Sequence, residues 1–259
     1  MNSDWRTRYE LAVEIAHQAG DLARTYYEST FAINHKADRS PVTIADQQAE
    51  QLIRERIAAA FPDDGLLGEE FGHQPGSSGF RWIIDPIDGT KSFIRHIPLW
   101  ATLIGLEYRG EQIGGVVYIP VLGMTYRALR GDGAYVNHRR IHVSTVDQLG
   151  ESLLCYSSMG WFTRAGREDV FHSLYRQTQR QRGFGDFYGF VLVAEGAADI
   201  MIEHGVHPWD IAATKAIIEE AGGTFTNWSG QATIHTADVV ATNGKLHADV
   251  LRILTPPPN

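Results

Sequence analysis

The 259-residue sequence holds a single cysteine, Cys155. One thiol excludes an intrachain disulfide framework and a cysteine-rich zinc site, and it suits a reducing compartment. Basic side chains are also scarce: 23 Lys and Arg stand against 31 Asp and Glu, for a formal net charge of −8. Nonspecific nucleic-acid binding draws on clustered Lys and Arg, so this balance argues against that class and fits a small-molecule or cationic ligand better. No apolar run approaches the ~20 residues that span a bilayer. The charged, polar stretch from Asp4 to Arg8 lacks the basic flank and apolar core of a secretory signal. The expectation is a cytoplasmic protein that binds neither membrane nor nucleic acid. Repeats and low-complexity tracts are missing too, apart from Thr255-Pro256-Pro257-Pro258, which reads as an unstructured end.

What is present is ordinary for a globular chain. Hydrophobic residues make up 43% and charged residues 21%, enough to bury a substantial core. Leu11, Ile15, Ala19, Leu22 and Tyr26 recur at helical spacing between Trp5 and Glu28. A second helix is announced by Ser40-Pro41-Val42-Thr43, with Thr43 as a cap and Asp46 closing a capping box; Ala49, Leu52, Ile53, Ile57 and Ala60 continue its stripe to Phe61-Pro62. From Gly65 the pattern changes to short apolar runs punctuated by Gly, Pro and Asp. They lie at 66–67, 82–84, 102–106, 115–119, 124–129 and 133–136, and read as strands of an antiparallel meander. The later half alternates: strand at 152–157, helix at 169–180, helix at 187–195, extended chain at 199–202, helix at 210–221 stopped by Gly222-Gly223, strand at 239–242 and helix at 246–254. This predicts a layered α/β (α+β) protein. Residues 1–259 are expected to form one unit of two lobes, about 1–148 and 149–254, with a flexible tail at 255–259.

The chemistry concentrates where apolar runs stop. Trp82-Ile83-Ile84 ends in Asp85-Pro86-Ile87-Asp88-Gly89-Thr90, and Leu66-Leu67 ends in Gly68-Glu69-Glu70. Hard divalent cations such as Mg²⁺ take carboxylate, carbonyl and water oxygens, and acidic groups gathered at the mouth of a sheet repel one another without such a cation. Each piece also has a plain structural reading. Asp85 and Asp88 suit a turn, Glu69 and Glu70 a solvated loop, Asp46 a capping box, and Asp210 the N-cap of its helix. Their occurrence together and in this order favours a site.

Gly68-Glu69-Glu70, Asp85-Pro86-Ile87-Asp88-Gly89-Thr90, and Trp209-Asp210 leading to Glu220-Ala221-Gly222-Gly223 resemble the inositol monophosphatase family of Mg²⁺-dependent phosphatases, over nearly the whole chain. The resemblance implies a layered αβαβα sugar-phosphatase fold, a homodimer and two or three Mg²⁺ ions. It implies that Glu69, Asp85 and the carbonyl of Ile87 hold one ion, and that Asp85, Asp88 and Asp210 hold a second. It further implies that Asp46 and Thr90, together with Glu69, act on the attacking water. The backbone N–H groups of Gly89 and Thr90 would receive phosphate oxygens, and Glu70 would lie outside the first ion shell or at a third ion. Phosphate monoester hydrolysis calls for these roles, since its catalysis is chiefly positioning and neutralisation of developing charge. The Asp-x-Asp-Gly-Thr signature of haloacid-dehalogenase phosphatases, whose first aspartate becomes phosphorylated, is a poorer fit. Two residues separate Asp85 from Asp88, and in a strand that odd offset changes their relative facing. Ser92 stands where many family members carry Asn, and Lys36 lies near the position of a family lysine, though it also reads as a solvated side chain.

Substrate choice is expected in the second half, at Asp186 and Glu203. Inositol-specific members generally carry a small residue at the position of Asp186; an aspartate there suits a cationic substrate. Asp186 equally suits the N-cap of a helix starting at Phe187. Ser157-Ser158-Met159-Gly160-Trp161, Gly185-Asp186-Phe187, Leu192-Val193-Ala194-Glu195-Gly196 and Ala241-Thr242-Asn243-Gly244 resemble the histidinol-phosphate phosphatase branch of the family. That branch implies L-histidinol phosphate as substrate, in histidine biosynthesis, with inositol, other sugar or nucleotide phosphates as the alternative. Asn243 reads as a turn residue or, less directly, a substrate contact. Trp209 reads as packing that fixes Asp210, Cys155 as a core strand residue, and His96, His204 and His207 as surface or core residues without metal spacing.

Overall fold

A computed structural model describes residues 3–28, 33–35 and 41–255 of the chain, with the backbone alone at 33–35 and 41–43. The first apolar stripe becomes α1 (Ser3–Tyr27) and the second becomes α2 (Ile44–Ala60), which follows a short hairpin of β1 (Ile33–His35) and β2 (Pro41–Thr43). The buried face of α1 is Tyr9, Ala12, Ile15, Ala16, Ala19 and Ala23, turned from the larger Leu11, Leu22 and Tyr26 toward alanines that let the helix approach its neighbours. Thr43 and Lys36 lie where side chains are outside the described residues, as do residues 256–259 of the expected tail.

The middle of the chain is an eight-stranded sheet. In chain order it contains β3 (Gly65–Gly68), β4 (Gly72–Gln74), β5 (Phe80–Asp88), β6 (Ala101–Tyr108), β7 (Glu111–Ile119), β8 (Met124–Leu129), β9 (Gly133–Val136) and β10 (Arg139–Ile141). The strands lie in the order β10-β9-β8-β7-β6-β5-β3-β4, antiparallel except for the parallel pair β3–β5. A single turn, α3 (Thr90–Phe93), follows β5. After a 3₁₀ turn at Leu149–Glu151 come β11 (Leu153–Tyr156), α4 (Met159–Arg164), α5 (Glu168–Gln177), β12 (Arg180–Arg182), α6 (Asp186–Ala194) and β13 (Ile200–His204). The chain closes with α7 (Pro208–Glu220), β14 (Thr224–Thr226), β15 (Asp238–Thr242) and α8 (His247–Leu254). These strands form a second sheet in the order β12-β11-β13-β15-β14. The helix expected to run to Arg180 stops at Gln177, because Thr178 turns extended and Arg180 enters β12 beside Leu153.

Alternating side chains sort these elements into five layers. Trp82, Ile84, Leu106 and Val116 point to α1 and α2, while Ile83, Leu103 and Val117 point to α6 and α7. On the far side of α6 and α7 stand Cys155, Met201 and Ala241 of the second sheet, whose other face packs Leu154, Ile200 and Val240 on α4, α5 and α8. The layering is therefore αβαβα. It places α7 in the centre, where Ala212 and Ala213 meet Gly105 and Gly115 so closely that a Cβ on Gly115 would stand 2.2 Å from the Ala213 carbonyl oxygen. Glu220, at the other end of α7, accepts N–H bonds from Gly131 (3.0 Å) and Gly133 (2.8 Å), which pins the helix to the β8–β9 turn.

Close packing at α7 makes a direct prediction. Gly115→Ala forces helix and sheet apart and lowers unfolding free energy by about 3 kcal/mol, whereas Gly150→Ala, where a Cβ meets nothing within 4 Å, stays within about 0.5 kcal/mol of the parent. Urea unfolding followed by circular dichroism measures both.

Candidate active site

The acidic residues converge because strand ends, a bulge and a helix start meet at one edge of the central layer. β5 pairs Asp85 with Leu103 and Asp88 with Ala101 of β6, so three steps on one strand oppose two on the other. This extra residue is a β-bulge. It corrects the facing expected from the odd offset: the bulge cancels the phase change and returns Asp85 and Asp88 to one side of the sheet. Thr102 holds the bulge by donating its hydroxyl to the Pro86 carbonyl at 2.9 Å. Asp85 follows the phase of Ile83 toward α7, and its Oδ1 accepts from the Ile87 N–H at 3.0 Å.

Neighbouring elements bring the other acids to the same place. β3 runs parallel to β5, and the Glu69 N–H donates to the Ile84 carbonyl at 3.2 Å, which sets Glu69 beside Asp85. Asp210 is not the N-cap of its helix, because α7 begins two residues earlier at Pro208; from the third helical position its Oδ2 accepts from the His207 N–H at 2.7 Å. Asp46, 1% exposed on α2, is close enough to Asp85 to act on its ionisation. Burial raises the Asp85 carboxyl well above the usual range, and the charges of Glu69, Asp88, Asp210 and Asp46 raise it further. Asp88 is raised by burial, then by Asp186 and Asp210, against the lowering effect of the Phe187 N–H.

That N–H bond is one the sequence could not disclose: Asp88 Oδ2 accepts from Phe187, 99 residues away, at 2.7 Å. A carboxylate from the first sheet thus binds the start of α6. Asp186 does not act as the N-cap: Gly185 takes that position, and Asp186 is the first helical residue, with φ of 53°. Its side chain is reached by solvent through the cleft. The surrounding protein nonetheless raises its carboxyl, opposed by Lys91. Glu203, 4% exposed near the end of β13, accepts a hydrogen bond from the Ser157 hydroxyl, and its second oxygen has no partner among the described residues. Burial chiefly pushes its carboxyl up to about 8, with Asp186 and Asp210 adding to the rise.

Gly89 takes φ 86° and ψ 34° as the residue before α3, a left-handed conformation that glycine adopts without strain. The Thr90 hydroxyl donates to the Ile87 carbonyl at 3.1 Å. Two adjoining hollows, of about 210 and 160 Å³, open beside this turn and share Lys91, Ser157, Trp161 and Asp186; Asp88, Glu203 and Asp210 line the smaller one. A roomier depression of about 600 Å³ between α5 and α8 lies outside this constellation and brings together none of these acids.

One positioning residue was missed in the sequence. Glu50 is fully buried and accepts from the N–H groups of Glu70 (2.7 Å) and Phe71 (3.2 Å) while receiving Arg54 Nε at 2.7 Å, so it holds the Glu69-Glu70 loop. Its signal was available as an acid one helical turn after Asp46 on the same face of α2. Other candidates resolve plainly. Asn243 spends its amide on Ser144, Val146 and the Leu246 N–H, which makes it a loop strut. Cys155 is buried in β11 with its thiol pushed up to about 12. Trp209 stacks on His207 at 4.8 Å, and Ser92 donates its N–H to the Gly89 carbonyl.

Among the described residues no group of three His, Cys, Asp or Glu side chains converges, as placed, tightly enough to hold a metal ion. The donor chemistry nevertheless fits a hard cation. Every nearby donor is oxygen, and the burial and mutual repulsion that raise Asp85 and Asp88 are relieved by a positive ion between them. A carboxylate has two oxygens with two lone pairs each, so the N–H bonds to Asp85 and Asp88 leave further lone pairs for coordination.

The Glu203 environment has a measurable pH signature. Below about pH 4.5 the residue is protonated in folded and unfolded chains alike, and between that point and about pH 8 only the unfolded chain ionises. Stability is therefore lost as pH rises through this window. With divalent cations chelated, urea titrations from pH 4.5 to 8 should show Glu203→Gln gaining on the parent by roughly 2–4 kcal/mol across it; a constant difference refutes the assignment.

Residues 4–255 match the inositol monophosphatase family. The chain is 41% identical over 226 residues to a histidinol-phosphatase of Chlorobaculum parvum, covering 87% of each protein. It is 41% identical over 247 residues to a histidinol-phosphatase of Mycobacterium tuberculosis, covering 93% of this chain and 95% of that one. The structure of an inositol monophosphatase from Anabaena (Nostoc) sp. PCC 7120 superposes with a TM-score of 0.86 at 31% identity, covering 99% of this chain and 98% of its own. The chain belongs to the inositol monophosphatase family and is a phosphatase.

Proposed function

We propose that this phosphatase is a Mg²⁺-dependent phosphomonoesterase that hydrolyses L-histidinol phosphate to L-histidinol and inorganic phosphate. The observation that carries the substrate choice is the pair of acids beyond the acidic cluster. Asp186 and Glu203 line the hollow next to Asp88 and Asp210, where the alcohol part of a bound ester would lie. Burial raises the Glu203 carboxyl, and Asp186 stands beside it at the solvent-reached mouth of the hollow, so an ammonium or imidazolium group suits the pair better than a neutral polyol. The relatives named histidinol-phosphatase at 41% identity support the same choice.

Glu69, Asp85 and the Ile87 carbonyl would hold one Mg²⁺ ion, and Asp85, Asp88 and Asp210 a second, with Glu70 near any third. When bound, Mg²⁺ supplies neutralisation of the charge that develops on the attacking and leaving oxygens. The chain's own residues do the rest. Gly89 and Thr90, at the start of α3 in a left-handed turn that glycine makes cheaply, would give backbone N–H groups to the phosphate. Asp46 and Thr90, with Glu69, orient the attacking water, the Thr90 hydroxyl exchanging its Ile87 partner for this task. Asp186 and Glu203 hold the leaving alcohol in line. We further propose that the whole chain works as one cytoplasmic unit and pairs as a homodimer. The central α7, from the later half, sits on strands of the earlier half, and among the described residues no helix is long and apolar enough to cross a membrane.

Phosphate release from purified protein should vanish on chelation and return with Mg²⁺. Against a panel of histidinol, inositol, sugar and nucleotide monophosphates, kcat/KM should be highest for histidinol phosphate, and a preference for inositol phosphate would overturn the role of Asp186. Glu69→Gln and Asp210→Asn should each lower kcat by about a thousandfold, the equivalent of about 4 kcal/mol, while circular dichroism stays unchanged.

A further inference from the structure

Trp161 stands where the two hollows join, lining both. It lies in the first turn of α4, behind Ser158, whose hydroxyl accepts from the Gly160 N–H at 3.2 Å and starts the helix. The indole lies against the backbone of Gly205: a Cβ there would stand 2.9 Å from Trp161 Cε3, and Gly205 has φ of 84°, so any other residue would both strain the turn and displace the ring. The Arg164 guanidinium covers the ring at 4.7 Å from its centroid, whereas Lys91, which shares the cleft, stands at the outer limit of contact, 6.0 Å away.

The polar atoms around this ring are incomplete. Glu203 Oε2 and His204 Nδ1 are buried without a hydrogen-bond partner among the described residues, and both side chains line the hollow that Trp161 walls. The Glu203 oxygen calls for a ligand that brings a donor, and the His204 nitrogen for a hydrogen-bonding partner. A polyol could supply them, but it meets an indole only through C–H groups and has no flat face to lay against it. A flat ring carrying N–H groups uses the part of the indole that lines the hollows together with the unpartnered Glu203 oxygen. Phe184, 37% exposed at the rim of the outer hollow, extends the aromatic surface on that side.

We infer that Trp161 determines specificity for the leaving alcohol, as the wall on which a planar nitrogen-bearing ring of the substrate packs while Glu203 and Asp186 meet its polar hydrogens. The inference rests on the substrate reading above and adds to it a discrimination between ring-bearing and ringless amino alcohols. Acidic side chains select charge in either; the indole selects shape. Gly205 is then a positioning residue, because its backbone fixes the ring plane.

Steady-state kinetics of the Mg²⁺-supplied enzyme on histidinol phosphate and on the ringless 2-aminoethyl phosphate separates these contributions. Trp161→Leu should lower kcat/KM for histidinol phosphate about tenfold, mostly through KM, and change the ringless ester by no more than about twofold. Trp161→Phe, which keeps an aromatic face, should recover most of the loss. If the parent turns over histidinol phosphate and Trp161→Leu lowers both esters equally, the inference is overturned while the substrate reading stands. If the parent itself fails to hydrolyse histidinol phosphate, the substrate reading falls and the inference with it.

Discussion

Holding several carboxylates out of water at one point is the constraint around which this protein is arranged. Asp46, Asp85 and Asp88 are buried, and Glu69 and Asp210 crowd the same corner, so each charge raises the cost of the next. The fold meets that cost with backbone donors. Ile87, Phe187 and His207 each give an N–H to one acid, and Glu50 secures the loop that carries Glu69. What these donors leave uncompensated is the electrostatic demand for a small hard cation. A protein without this function would gain stability by replacing any of these acids with an apolar residue.

The scaffold makes the corner rigid in a particular way. α7 has Asp210 near its start and Glu220 at its end, the first bonded to His207 and the second to the β8–β9 turn. Between them, glycines on β6 and β7 face alanines on the helix, so the helix lies unusually deep on the sheet. Small residues, which contribute little to burial individually, thereby set how far Asp210 stands from Asp85 and Asp88. Precision at the site is delivered by packing several residues away from it.

Much of this was legible in the sequence, and the reason is local. Apolar stripes at helical spacing marked α1 and α2, and runs ending in Asp or Glu marked the strand ends that meet at the cleft, because each signal is written in residues near one another in the chain. The short elements were not legible: β4, β10, β12 and β14 have three residues each and are held by neighbouring strands more than by their own composition. The facing of Asp85 and Asp88 was misread for a similar reason, since a bulge is a property of two strands and only one was in view. Asp186 looked like a helix cap because the true partner of that helix start, Asp88, comes from 99 residues earlier. The identity of the acids could be read; the contacts that aim them could not.

The bond from Asp88 to the Phe187 N–H has an effect that reaches beyond local geometry. Phe187 adjoins Asp186, so the helix that carries Asp186 into the cleft is anchored on a carboxylate belonging to the acidic cluster. Any cation drawn to Asp88 takes electron density from the oxygen pair that α6 leans on, and any shift of α6 moves that pair. Charge at the acidic cluster and the position of the cleft wall on α6 are thus two readings of one lever. A substitution at Asp88 therefore disturbs both the acidic cluster and α6, whereas one on the cleft walls leaves that anchor intact.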